Sequence, residues 1–219
     1  MQTSALKVAG RLSAELMRPE GAERLLVLAH GAGADFRHAN MTGIVEALAR
    51  QRVATLRFNF PFTEQGRRRV DGQTVSVKTL VDAVTTAREA APDLELFIGG
   101  HSYGGRMASH AVLAQEMPVS GLVFCSFPLH PPKKPGIERA EHLDRIPLPM
   151  LFLSGTRDGL AEPDLLSEVV ERLGARATLH WLDTADHGYK VLKRKRLIEV
   201  DVFDELAGVA ARFMNQLDE

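Results

Sequence analysis

A chain of 219 residues, 45% hydrophobic and 25% charged, has the composition of a folded globular protein and not of a disordered one. Its formal net charge of -1 supplies no overall field for nucleic acid or an anionic membrane. The single cysteine, Cys125, excludes an intrachain disulfide and any multi-cysteine zinc or iron–sulfur site. The length suits one well-buried core, so one domain over residues 1–219 is expected. Residues 1–7 lack the basic-then-apolar pattern of a secretory leader, and no apolar run is long enough to span a bilayer. A reducing, cytoplasmic setting is the expectation.

Taken in chain order, Leu6 to Val8 and Leu12 to Met17 suit an antiparallel hairpin at a sheet edge. Short runs rich in Val, Leu, Ile and Phe follow at 25–29, 53–58, 94–98, 121–126, 150–154 and 178–182. Helix-period segments lie between or after them at 40–50, 74–90, 106–115, 163–173 and 200–217. The second of these carries an apolar stripe of Val77, Leu80, Val81 and Val84. Wholly apolar strands alternating with helices predict a mostly parallel sheet covered on both faces. Only about two dozen residues, 127–149, separate two core strands, and they include Pro128, Pro131, Pro132, Pro135 and Pro147, which disfavour a long helical lid.

Ligands of such sheets bind beyond the carboxyl ends of the strands, and there the chemistry-bearing residues fall. Gly100-His101-Ser102-Tyr103-Gly104 follows the run at 94–98 and precedes a helix. This Gly-x-Ser-x-Gly turn lifts a serine hydroxyl clear of the sheet, and its glycines let strand and helix pass closely. His30-Gly31-Ala32-Gly33 follows the run at 25–29, Gly155-Thr156-Arg157-Asp158 that at 150–154, and Asp186-His187-Gly188 that at 178–182. Serine, aspartate and histidine thus come in that order, each behind its own strand.

On these four motifs the chain closely resembles the α/β-hydrolase family, over nearly its whole length. The Ala29-His30-Gly31-Ala32-Gly33 turn and the small size are most similar to the dienelactone-hydrolase-like group. The stretch from Arg57 to Phe62 resembles bacterial relatives of eukaryotic testis-expressed and chromatin-complex hydrolase-fold proteins. Dienelactone hydrolases themselves use cysteine at the elbow, where this chain has Ser102, so lactone hydrolysis does not carry over. The resemblance implies a serine hydrolase of the carboxylesterase type, cleaving an ester or thioester of a small soluble substrate. The alternative is a hydrolase-fold interaction protein with little turnover.

Acyl transfer then assigns roles. Ser102 is the expected nucleophile, His187 its base, and Asp158 the carboxylate that orients His187. Asp183 and Asp186 compete with Asp158 but lie too near His187 in sequence to reach the far side of its ring easily. Two amides must face the oxyanion: Tyr103, next after the nucleophile, and Ala32 in the first turn. Gly31, Phe60 and Phe62 are expected against substrate. His30 is expected to brace the oxyanion turn, His101 to pack or orient, and Cys125 to be buried. Neither cofactor nor metal is required, and neither nucleic acid nor membrane is an expected partner; the oligomeric state is left open. Ten of the 27 basic residues (Arg67–Arg69, Lys133, Lys134, Lys190 and Lys193–Arg196) fall in segments that follow core strands. Grouped at one mouth, they would favour an anionic substrate.

Overall fold

The computed structural model describes residues 1–216. Its core is an eight-stranded sheet in the order β1-β2-β4-β3-β5-β6-β7-β8. The strands are β1 (Gln2–Val8), β2 (Leu12–Arg18), β3 (Arg24–Ala29), β4 (Val53–Phe58), β5 (Glu95–His101), β6 (Leu122–Cys125), β7 (Met150–Gly155) and β8 (Ala177–Leu182). β1 and β2 form the expected edge hairpin, β2 runs antiparallel to β4, and every other pairing is parallel. Glu15 and Arg57 are register partners across the β2–β4 seam, and their side chains form a largely buried ion pair at 2.6 Å.

The long helices are α1 (Ala39–Arg50), α3 (Gln73–Ala90), α4 (Tyr103–Ala114), α5 (Pro163–Leu173) and α6 (Val202–Gln216), with a short α2 (Pro61–Glu64). The predicted last helix starts two residues late, and its predicted end at Leu217 lies outside the described residues. Three short elements were not expected: α2, which Pro61 starts at its first position, a 3-10 turn, Gly174–Arg176, and a 3-10 helix, Glu138–Arg145. The 126–149 segment that holds the latter forms no lid. Both faces of β3 are covered: Leu25, Val27 and Ala29 join the core under α3, α4 and α5, while Leu26 and Leu28 join the core under α1 and α6. A strand buried on both sides has no polar face to show, which is why these runs read as continuous apolar stretches.

β3 has β4 on one side and β5 on the other, so the chain reverses its direction of travel across the sheet here. Such a switch point opens a crevice at the strand carboxyl ends. Ala29 is in register with Gly100, and His101 with Cys125, so β3, β5 and β6 end side by side. The crevice is narrow because backbones meet there. A β-carbon on Gly99 would lie 1.9 Å from the Val123 carbonyl oxygen, and one on Gly104 2.4 Å from that of Ala29.

Two histidines finish these strands. His30 Nδ1–H donates to the Gly31 carbonyl at 2.8 Å, and its Nε2 accepts from the Phe60 amide at 3.2 Å. His101 Nε2–H donates to the His187 carbonyl at 2.9 Å. Burial lowers both rings to a pKa of about 4, so both are neutral near pH 7.

Gly99→Ala or Gly104→Ala should cost ~3 kcal/mol or more in urea unfolding, since backbone atoms must move. Gly33→Ala should stay within ~0.5 kcal/mol, because a β-carbon there meets nothing within 4 Å. Equal losses at Gly33 and Gly99 would contradict the close crossing. Acid should also destabilise the fold. The unfolded chain binds protons on His30 and His101 from about pH 6.5 downward while the folded chain resists to about pH 4. Stability is therefore complete above pH 6.5 and falls below it, by about 1.4 kcal/mol per pH unit for each ring. An unfolding midpoint that stays constant from pH 6.5 to 4.5 would refute this.

Candidate active site

Ser102 occupies the turn from β5 into α4 with φ 52 and ψ -116, a left-handed conformation that a residue with a β-carbon adopts only under constraint. The constraint is visible. The Ser102 amide donates to the Cys125 carbonyl at 2.9 Å, and the Ser102 carbonyl accepts from the Arg106 amide at 3.1 Å. Ser102 Oγ lies 2.8 Å from His187 Nε2, and His187 Nδ1 lies 2.9 and 2.8 Å from the two carboxylate oxygens of Asp158. A carboxylate only accepts, so Nδ1 carries the proton, and Nε2 is left to accept from the serine hydroxyl.

Each member sits where its strand ends. Asp158 follows β7; its side chain has no exposed surface, and it also accepts from the Leu160 amide at 2.8 Å. His187 follows β8 in a turn shaped by Asp186, whose Oδ1 accepts from the Gly188 and Lys190 amides at 2.9 Å each. Asp183 accepts from the Leu197 amide. The two competing aspartates are thus occupied with backbone, and Asp158 alone meets the imidazole.

The Gly31–Ala34 turn runs beside the serine. Gly31 is buried, and a β-carbon on it would stand 3.1 Å from His101 Nδ1 and 3.7 Å from Ser102 Cβ. Ala32 is exposed and shares with Ser102 and His187 a cleft of about 280 Å³. The Tyr103 amide is the first of α4 and has no partner within the helix. Its ring turns away from the cleft, the hydroxyl 2.7 Å from Ser76 Oγ and donating to the Asp71 carbonyl at 3.2 Å. Cys125 is fully buried, and desolvation raises its thiol to about 12.

Two expectations need correction. Phe60 is fully buried and does not line the cleft: its ring packs against those of His30, Phe58, Phe62 and Tyr103 at 5.1 to 5.8 Å. Phe62 is also buried, although one edge borders a second cleft. Alternation along 58–62 and aromatic character do not distinguish a substrate wall from packing behind it. Among the basic residues, Arg196 is not free: its side chain is 5% exposed, bonded to the Asp183 carbonyl and paired with Glu205. Arg67 is paired with Asp71 at 2.6 Å.

Sequence reasoning missed His38, Asn40, Met41 and Leu160, which complete the cleft over Ser102. All four follow a strand, the signal that located the others. The second cleft, about 690 Å³, shares Ala32–Ala34 and His38 with the first and is bordered by Arg37, Arg67 and Arg68. Among the described residues, no cluster of three or more His, Cys, Asp or Glu side chains is placed to hold a metal ion, and no helix is long and apolar enough to cross a membrane.

Solved structures match this architecture end to end. A dienelactone hydrolase from Anabaena variabilis has a TM-score of 0.75 at 20% identity, covering 98% of this chain and 96% of that one. An α/β serine hydrolase without a lid from Xanthomonas campestris has a TM-score of 0.74 at 18% identity, covering 98% and 94%. Est1E from Butyrivibrio proteoclasticus, solved with ferulic acid bound, has a TM-score of 0.72 at 15% identity, covering 98% of both chains. At these identities the likeness is one of fold. The family model described as an alpha/beta hydrolase domain matches residues 22–215, so the chain belongs to the α/β-hydrolase family.

Proposed function

We propose that the protein is a serine hydrolase of the carboxylesterase type, cleaving an ester or thioester of a small soluble substrate through an acyl-enzyme. The observation that carries this reading is the unbroken chain from Ser102 Oγ through the His187 ring to the Asp158 carboxylate, with every link between 2.8 and 2.9 Å. His187 Nε2 takes the serine proton as Oγ bonds to the acyl carbon. Asp158 holds Nδ1–H and stabilises the imidazolium. Amides of Ala32 and Tyr103 receive the oxyanion, each such donor being worth roughly 3 kcal/mol of barrier. His187 then protonates the departing alcohol or thiol, and water repeats the sequence on the acyl-serine. No step needs a metal or cofactor, and one domain over residues 1–219 suffices for it.

The esterases and the ferulic acid complex among the structural neighbours support a small-molecule ester as substrate. The arginines of the second cleft favour an anionic one. The guanidinium groups of Arg37 and Arg68 border it without a hydrogen bond or ion pair to a carboxylate among the described residues, while Asp35, the acidic residue on its rim, accepts from the Arg37 backbone amide at 2.8 Å. The absence of a lid favours short acyl chains and monomeric substrates over emulsified ones.

Ser102→Ala should abolish labelling by a fluorophosphonate probe and lower esterase turnover by several orders of magnitude with the fold intact. Undiminished labelling would remove Ser102 from its role, and a wild-type protein that never labels would favour the interaction-protein alternative. Asp158→Asn should cut turnover by roughly 10⁴-fold; a comparable loss in Asp186→Asn instead would move the carboxylate. Charge reversal in Arg68→Glu should raise KM several-fold for an anionic ester at low salt, and leave a matched neutral ester nearly unchanged. Identical kinetics for the two esters would return the arginine to a solvated surface charge.

A further inference from the structure

α4 meets the 3-10 helix Glu138–Arg145 through two imidazoles. The His110 and His142 rings stack 3.8 Å apart and 14° from parallel. Ser109 Oγ donates to the Arg106 carbonyl at 2.7 Å, so its contact of 2.7 Å with His142 Nε2 is one in which the imidazole N–H donates. Burial and neighbouring positive charge hold both rings at a pKa of about 4. They stack as neutral groups and fix how the two segments sit against each other.

One turn along α4 from His110, towards Ser102, is Arg106; three residues before His142 is Arg139. Arg106 Nε is buried with no hydrogen-bond partner. Among the described residues neither Arg106 nor Arg139 has a hydrogen bond or ion pair from its guanidinium to any protein group. The two charges act on each other, for Arg139 and burial both lower the Arg106 pKa. His142 likewise feels Arg106 and Arg145, and His110 feels Arg106. A half-buried guanidinium ordinarily recovers its lost hydration from a carboxylate or from carbonyls. Here no carboxylate or carbonyl among the described residues meets the Arg106 guanidinium, and the packing of α4 on the 3-10 helix through His110, His142 and Ser109 brings Arg139, a second cation, close enough to act on it. Side chains of a helix lean towards its N-terminus, so Arg106 leans towards the end of α4 that carries Ser102.

We propose that Arg106 and Arg139 form an anion site at the seam of α4 and the 3-10 helix, taking a carboxylate or phosphate group between two guanidinium forks. Planar forks of this kind bind both oxyanions in bidentate fashion. Neither Arg106 nor Arg139 lines the cleft bordered by Arg37, Arg67 and Arg68, and the anion site does not depend on the proposed hydrolysis.

The full chain would be titrated with inorganic phosphate, and separately with acetate, against sodium chloride of equal ionic strength, reading Tm. At least one anion should raise Tm saturably, by roughly 3–6 °C at ten times its Kd. A response to phosphate alone, acetate alone, or both identifies which group the forks accept. Arg106→Met, tested without added anion, should be no less stable than wild type, because it removes an uncompensated charge. Arg106→Met and Arg139→Gln should each lose the anion response, and Arg68→Gln should keep it. Should Arg106→Met fail to fold, Arg139→Gln decides. The proposal is overturned if neither anion acts beyond chloride, if the response survives in both variants, or if it disappears in Arg68→Gln while persisting in Arg139→Gln.

Discussion

The geometry around Ser102 depends on a single steric fact: the carbonyl of Ala29 fills the space that a β-carbon on either Gly100 or Gly104 would need. The end of β3 is therefore pressed against the strand entering the elbow and the helix leaving it. Because the Gly31–Ala34 turn begins two residues after Ala29, this contact sets how far that turn stands from the serine. It also explains how a serine keeps φ 52. A strained residue persists only where its surroundings over-determine it, and here both flanks are fixed by backbone and not by adjustable side chains.

Around that crossing the protein uses imidazole as a bracket. His30 ties the first turn to the Phe60 amide, and His101 ties the elbow to the His187 carbonyl. His130 is fully buried, bonded to the Pro131 carbonyl through Nδ1 and to Glu162 through Nε2. Its neighbour Leu129 donates its amide to the Leu160 carbonyl at 2.8 Å, fastening the loop that carries Asp158. Each of these rings joins two segments that follow different strands. His187 differs from them in one respect: a carboxylate holds one nitrogen and a hydroxyl meets the other. Chemical identity does not separate a bracket from a reactive imidazole; the partners do.

The sequence made the architecture legible for a physical reason. Strands buried on both faces must be apolar over their buried run, as β3 is from Leu25 to Ala29 and β7 from Met150 to Leu153, and those runs marked the sheet. Ser102 and Asp158 were legible because each follows such a run, and His187 because it lies in the turn after β8, a partly buried edge strand. Phe60 was not, since an aromatic two residues past β4 suits a cleft wall and a core layer equally, and only the three-dimensional position of His30 and Tyr103 decides. Arg196 was read as one of a basic group, but its partner Glu205 lies on α6, a pairing that local sequence does not encode. The 3-10 helix Glu138–Arg145 lacks the length to show a helical period. The Arg106–Arg139 juxtaposition needs two segments 33 positions apart to be packed together.

The order of strands in space has a consequence for synthesis. A ribosome makes the elbow long before it makes β8, and β8 is the outermost strand on its side of the sheet. A parallel sheet can accept a last strand at its margin without opening what has already formed. The last helix made, α6, covers the face of β3 that carries Leu26 and Leu28, so the crossing is sheathed on both faces only once the C-terminal segment has arrived. In the proposed mechanism Ser102 gains its proton acceptor at the same late stage, because His187 follows β8.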